Sequence, residues 1–144
     1  MNKIFILLLL ISFQWGISQT EITWDNLSDV TFVEEYFEDE DAYFYVPSFG
    51  KSLLKLEGQK VSITGFILAI DYELGFYILS RHPFASCFFC GSGGPESIIE
   101  LRFNNENVSF SMDEIVTIQG TLRLNSNNPD ECNFILENAS VRID

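Results

Sequence analysis

The chain has 144 residues, with 21 aspartates and glutamates against 8 lysines and arginines, a formal charge of −13. That length suits one domain with its own core, and that charge disfavours phosphate backbones and anionic membrane surfaces as partners. Nucleic acid is not an expected ligand, whereas cations and cationic proteins remain open.

The opening residues, MNKIFILLLLISFQWGISQT, read as a secretory signal peptide. Lys3 supplies the positive start and Ile4 to Phe13 an apolar run broken only by Ser12. Gly16 and Ser18 then provide the small residues before a cut at Gln19. The run is shorter than the roughly 20 apolar residues that a membrane span needs. No later run replaces it, so no stable membrane insertion is expected after cleavage. No cysteine stands near the cut to carry a lipid. Residues 1–18 are assigned to the signal and the remainder to an exported protein, periplasmic or secreted, in a compartment where thiols tend to oxidise.

Residues 19–57 mix aromatic and acidic side chains without a sustained helical or alternating period, and are expected to form an irregular segment packed on the domain that follows. Glu34, Glu35, Glu38, Asp39, Glu40 and Asp41 crowd together there. They lack the alternating oxygen ligands and central glycine of an EF-hand loop, so they read as a solvated face. Trp24, Phe32, Tyr36, Phe37, Tyr43, Phe44 and Tyr45 read as packing residues rather than a stacking platform. Ser52 to Leu56 is expected to make a short helical turn ended by Gly58.

From residue 58 to 144 the pattern becomes β. Val61, Ile63, Gly65, Ile67 and Ala69 alternate along KVSITGFILAIDYE, a long strand with a glycine in its middle. GFYILSR is its return strand, ESIIELRF the third, DEIVTIQGTLRLN the fourth with Gly120 inside it, and NFILENASVRI the fifth. NSNNPDE between the last two is loop. Five strands, two of them long and broken by glycine, favour a mainly β fold: a small five-stranded OB-like barrel whose first strand bends to serve both halves. Strand spacing alone also allows a sandwich.

The loop RHPFASCFFCGSGGPESIIEL carries the only histidine and two of the three cysteines. Cys87 and Cys90 form a Cys-x-x-Cys pair able to place two sulfurs on one metal, with His82 and Cys132 as candidate third and fourth ligands. Three thiols and an imidazole suit zinc, and thiolates alone suit copper(I). Two other readings stay open. A structural disulfide would join Cys87 to Cys90, or Cys132 to one of them, and would leave one thiol over. A redox pair is disfavoured because Gly91, Ser92, Gly93, Gly94 and Pro95 cannot start a helix on Cys90. The glycine run resembles an anion cradle, but no lysine or helix completes a phosphate-binding loop. Glu96 reads as a carboxylate beside the cysteines or simply as solvated. With a single imidazole and no nucleophile-elbow sequence, no Ser-His-Asp site is legible, which favours a binding protein over an enzyme.

Several stretches also share a pattern: Trp24-x-x-Leu27-x-Asp29; Pro47-x-Phe49; Leu56, Gly58, Val61, Ile63, Gly65 and Phe66; and the CFFCG…GPES loop with Cys87 and Cys90. In these, Thr23 to Leu101 resembles a group of small exported bacterial proteins of unknown function. The resemblance implies an OB-like barrel. Because some of that group sit beside zinc-regulated metal-uptake systems, it also implies metal handling. It carries over no catalytic residue, and His82 and Cys132 are not among the matched positions. The sequence thus leaves a metal ion, a protein or a saccharide as the ligand.

Overall fold

The computed structural model describes residues 19–87, 89, 91, 93–104 and 108–143. The expected signal, 1–18, lies outside the described residues. A two-residue strand β1 (Thr20–Glu21) and one helical turn α1 (Trp24–Leu27) precede a hairpin, β2 (Val30–Phe37) and β3 (Ala42–Phe49), and a second helical turn α2 (Lys51–Leu54). Five further strands follow: β4 (Lys60–Asp71), β5 (Phe76–Ser80), β6 (Ile98–Phe103), β7 (Ile115–Leu124) and β8 (Phe134–Val141).

These five close on themselves in the order β4-β5-β6-β8-β7, with β7 returning to pair with β4. Every pairing in the ring is antiparallel except β6 with β8. This is the expected OB-like barrel, closed and of mixed strand direction. The alternation in β4 sets its inside, since Val61, Ile63, Ile67 and Ala69 all join the central apolar cluster. One strand serves both halves of the barrel: Lys60 to Phe66 pairs with β7, and Phe66 to Asp71 pairs with β5.

Gly65 stands at that changeover because nothing larger fits. A Cβ there would lie 2.7 Å from the Ser80 carbonyl oxygen and 2.8 Å from Cζ2 of Trp24. The Trp24 indole covers this spot and donates its N–H to the Thr64 carbonyl at 2.8 Å. Leu27 and Leu53, wholly buried, enter the barrel cluster from α1 and α2. Asp29 accepts hydrogen bonds from the Ser52 hydroxyl and from the Ser52 backbone N–H, the latter at 3.1 Å. The Ser52 hydroxyl bond is the larger of these two influences holding its carboxyl below the ordinary carboxylate range. Trp24 and Leu27 therefore fasten the N-terminal segment to the barrel, while Asp29 ties α1 to α2 within that segment.

Within that segment the structure adds a hairpin where the sequence shows no period. Its register explains why: Tyr36 faces Tyr43, but Glu34 faces Tyr45 and Glu35 faces Phe44. Each side of the ribbon mixes acid with aromatic, so apolar and polar residues never alternate cleanly. No helix among the described residues is long and apolar enough to cross a membrane.

Candidate functional site

Strand alternation puts Tyr77, Leu79, Ile99 and Leu101 into the barrel interior. It sends Leu68, Ile78 and Ile98 to the outer face of β4, β5 and β6. An outer face of an antiparallel sheet is commonly polar. Here Leu68, Ile78 and Ile98 instead form a second buried cluster with Cys87. The loop after β5 delivers Cys87 through a 3-10 turn, Phe84–Ser86, anchored by the Phe84 N–H donating to Asp113 at 2.7 Å. Cys132 packs against the same cluster from the β7–β8 connection.

Beside this covered part the apolar face opens into a groove of about 400 Å³. Ile70, Phe76, Ile78, Ile98 and Glu100 line it from β4, β5 and β6, joined by Phe89 and Pro95 of the cysteine loop. Phe44 and Tyr45 of β3 and residues 129–133 complete the lining. Large apolar side chains face solvent along it, Phe89 at 52% and Tyr45 at 66% exposure.

Two of the groove's three carboxylates, Glu100 and Glu131, are already engaged. Glu100, only 7% exposed, accepts Arg102 Nε on Oε1 at 2.8 Å and the Cys132 backbone N–H on Oε2 at 3.2 Å. Arg102 also reaches Glu131 at 2.8 Å and Glu137 at 3.2 Å. Arg123 holds the same two acids, each at 2.9 Å. The hydrogen bonds from Arg102 and then Arg123 keep the Glu131 carboxyl below its ordinary range. Arg102 is raised in turn, mainly by its bond to Glu131. This network ties the β7–β8 loop to the strands, and buried Asn125 folds the loop by donating to the Asn128 carbonyl at 2.7 Å. For Cys132, burial above all pushes the thiol up to about 12, with the neighbouring Glu100 charge acting the same way.

Cys87 and Cys132 converge on one apolar cluster, both as free thiols. The His82 backbone N–H donates to Ser80 Oγ at 3.1 Å, and its ring lies beside Gly93. Cys90 lies outside the described residues. Among the described residues no three histidine, cysteine, aspartate or glutamate side chains gather as a metal-binding group. Glu96 folds its carboxylate over Gly94, filling the space a Cβ there would need. Ser97 Oγ donates to the Gly94 carbonyl at 2.6 Å, so the glycine run closes a turn into the short helical stretch Pro95–Ser97 ahead of β6.

Ile70, Phe76, Ile78, Ile98 and Glu100 lie outside the candidate residues of the cysteine loop. Their signal was present in FILAI, FYILS and SII, which are apolar on both faces of a strand rather than on one.

Topology and groove together define a class: a five-stranded OB-like barrel with an apolar cleft on its outer β4–β6 face. Among solved structures, a DUF3299 family protein from Pseudomonas aeruginosa is similar in fold, with a TM-score of 0.53 at 12% identity. The match covers 88% of this chain and 98% of that one, which is more than residues 58–144 alone supply, so it takes in part of the N-terminal segment. No family model matches the sequence, and no curated protein matches it.

Proposed function

We propose that this chain is an exported binding module that holds a segment of another protein in the groove on its β4–β6 face. The observation that carries this reading is the exposed apolar strip of Ile70 and Phe76 beside a wall made by Tyr45. Contiguous exposed apolar surface of this kind marks interaction sites in soluble proteins. A saccharide needs many hydrogen-bonding partners, but Glu100 and Glu131 already spend their oxygens on Arg102, Arg123 and the Cys132 N–H. Phosphate-bearing ligands meet the same carboxylates and a chain of net charge −13. Export rests on the signal-like opening residues. The test is capture of extended apolar peptides by the purified protein: binding weakened by Ile70→Asp supports the groove, and unchanged binding removes it.

The convergence of Cys87 and Cys132 favours a second use of the thiols, as ligands of zinc or copper(I) together with Cys90. Burial works against it, because Cys132 would have to lose a proton held up to about 12. Elemental analysis of untagged protein tests it, with one bound metal per chain in support and a metal-free protein against.

A further inference from the structure

We infer that the groove's occupant is an extended apolar segment flanked by lysines or arginines, laid edge to edge against β3. This rests on the protein-binding reading above and names the partner's chemistry.

β3 meets the groove edge-on. Phe44 and Tyr45 are consecutive in a strand, so their side chains leave opposite faces of the hairpin. Both nevertheless line the groove. A strand brings two successive residues to one cavity when it presents its edge. β2 occupies the other edge of β3 along its whole length, Val30 to Phe37 against Ala42 to Phe49. Among the described residues no strand pairs with the groove-side edge. An added strand could take up main-chain hydrogen bonds at the Ala42–Tyr45 end of that edge, short of Pro47, which has no N–H, with alternate side chains resting on Ile70 and Phe76.

The hairpin is also strongly acidic. From Gln19 to Gly50 the chain has no lysine or arginine. Six acids, Glu34, Glu35, Glu38, Asp39, Glu40 and Asp41, sit on the hairpin or its turn. The ion pairs of the described residues draw on other acids, those of Asp25, Glu21, Glu100, Glu131 and Glu137. Tyr43 and Tyr45 are two-thirds exposed, offering ring faces to a cation. Cationic flanks therefore gain attraction and aromatic contact at the same wall that the apolar core touches. A second copy of this chain would bring the same acids against each other, which disfavours self-association.

The test uses three fluorescein-labelled peptides with one apolar core, Val-Leu-Val-Phe-Val, flanked by lysine pairs, serine pairs or glutamate pairs. Fluorescence anisotropy with the purified protein should rank lysine above serine above glutamate. The lysine peptide should bind about tenfold tighter than the glutamate peptide in about 50 mM salt, a gap that closes in about 300 mM salt. The variant E34Q/E35Q/E38Q/D39N/E40Q/D41N should equalise the three. Ile70→Asp with Phe76→Ser, both at exposed positions, should weaken all of them. Lysine cores N-methylated at alternate amides, in the two possible phases, test the edge: one phase should lose about tenfold and the other little. Equal binding of lysine and glutamate peptides overturns the charge inference but leaves the groove. Equal binding of both methylated phases and the parent overturns edge pairing. Binding of no peptide, or binding indifferent to the groove variant, overturns the inference and the protein-binding reading together.

Discussion

Glu100 and Cys132 are joined at the groove: the Glu100 Oε2 accepts the Cys132 backbone N–H at 3.2 Å, while its Oε1 holds Arg102 at 2.8 Å. One buried carboxylate thus couples β6 to the loop that forms a groove wall. Replacing Glu100 with alanine strands the Cys132 N–H and frees one side of Arg102. The expected loss is about 2 kcal/mol, below the usual cost of breaking a fully buried pair because Arg102 is partly exposed and keeps Glu131. Urea denaturation measures it. A change under about 0.5 kcal/mol would mean that this carboxylate does not hold the loop.

Acid should release the same loop from its other anchor. The folded Glu131 carboxyl is held low by hydrogen bonds from Arg102 and then Arg123. A lowered folded value stabilises the protein at pH above the ordinary 4.5, and that stability fades as the pH falls through the folded value. Thermal melts taken downward from pH 6 should therefore decline below that point more steeply for the wild type than for Glu131→Gln. Parallel declines would assign the acid sensitivity to other carboxylates.

Gly65→Ala should destabilise by about 1–3 kcal/mol, the range for overpacking a close-fitted site. The added methyl meets the Ser80 carbonyl at 2.7 Å and the Trp24 ring at 2.8 Å. Trimming Trp24 to alanine relieves only the second clash, since the carbonyl is backbone. The double variant should thus remain no more stable than Gly65→Ala alone, and full rescue would show that the ring was the sole obstacle.

Both described thiols should resist alkylation in the native protein. Cys87 is wholly buried, and burial together with Glu100 pushes Cys132 up to about 12. Because the folded value is raised, Cys132 adds stability that is complete below its ordinary 9.0 and is lost as pH rises toward about 12. Iodoacetamide labelling followed by peptide mass spectrometry should find both residues unmodified at pH 8 until denaturant is added. Rapid labelling of Cys132 in the folded protein would contradict its packing against the outer cluster.

The barrel was legible in the sequence because Val61, Ile63, Ile67 and Ala69 alternate as one buried face must, and because Gly65 and Gly120 mark close approaches between strands. The hairpin was not, since its cross-strand pairs set Glu34 against Tyr45 and Glu35 against Phe44. The groove was hidden for another reason. Ile78 and Ile98 look like core residues in one dimension, and only strand order reveals that they point outward beneath a loop. Glu100 and Arg102 could be read as neighbours on one face, but Arg123, Glu131 and Glu137 join them only through the parallel pairing of β6 with β8 and the return of β7. The cysteine loop drew attention to Cys87, Cys90, His82 and Cys132. Of these, Cys87 and Cys132 meet on one cluster and the His82 ring lies beside Gly93.

Isoleucine methyl NMR tests the groove most directly. Titrating the lysine-flanked apolar peptide into protein labelled at isoleucine δ1 methyls should shift Ile70, Ile78 and Ile98, which line the cleft. Ile63 and Ile118, buried inside the barrel, should stay in place. Shifts confined to other methyls, or none at saturating peptide, would contradict a binding site on the β4–β6 face.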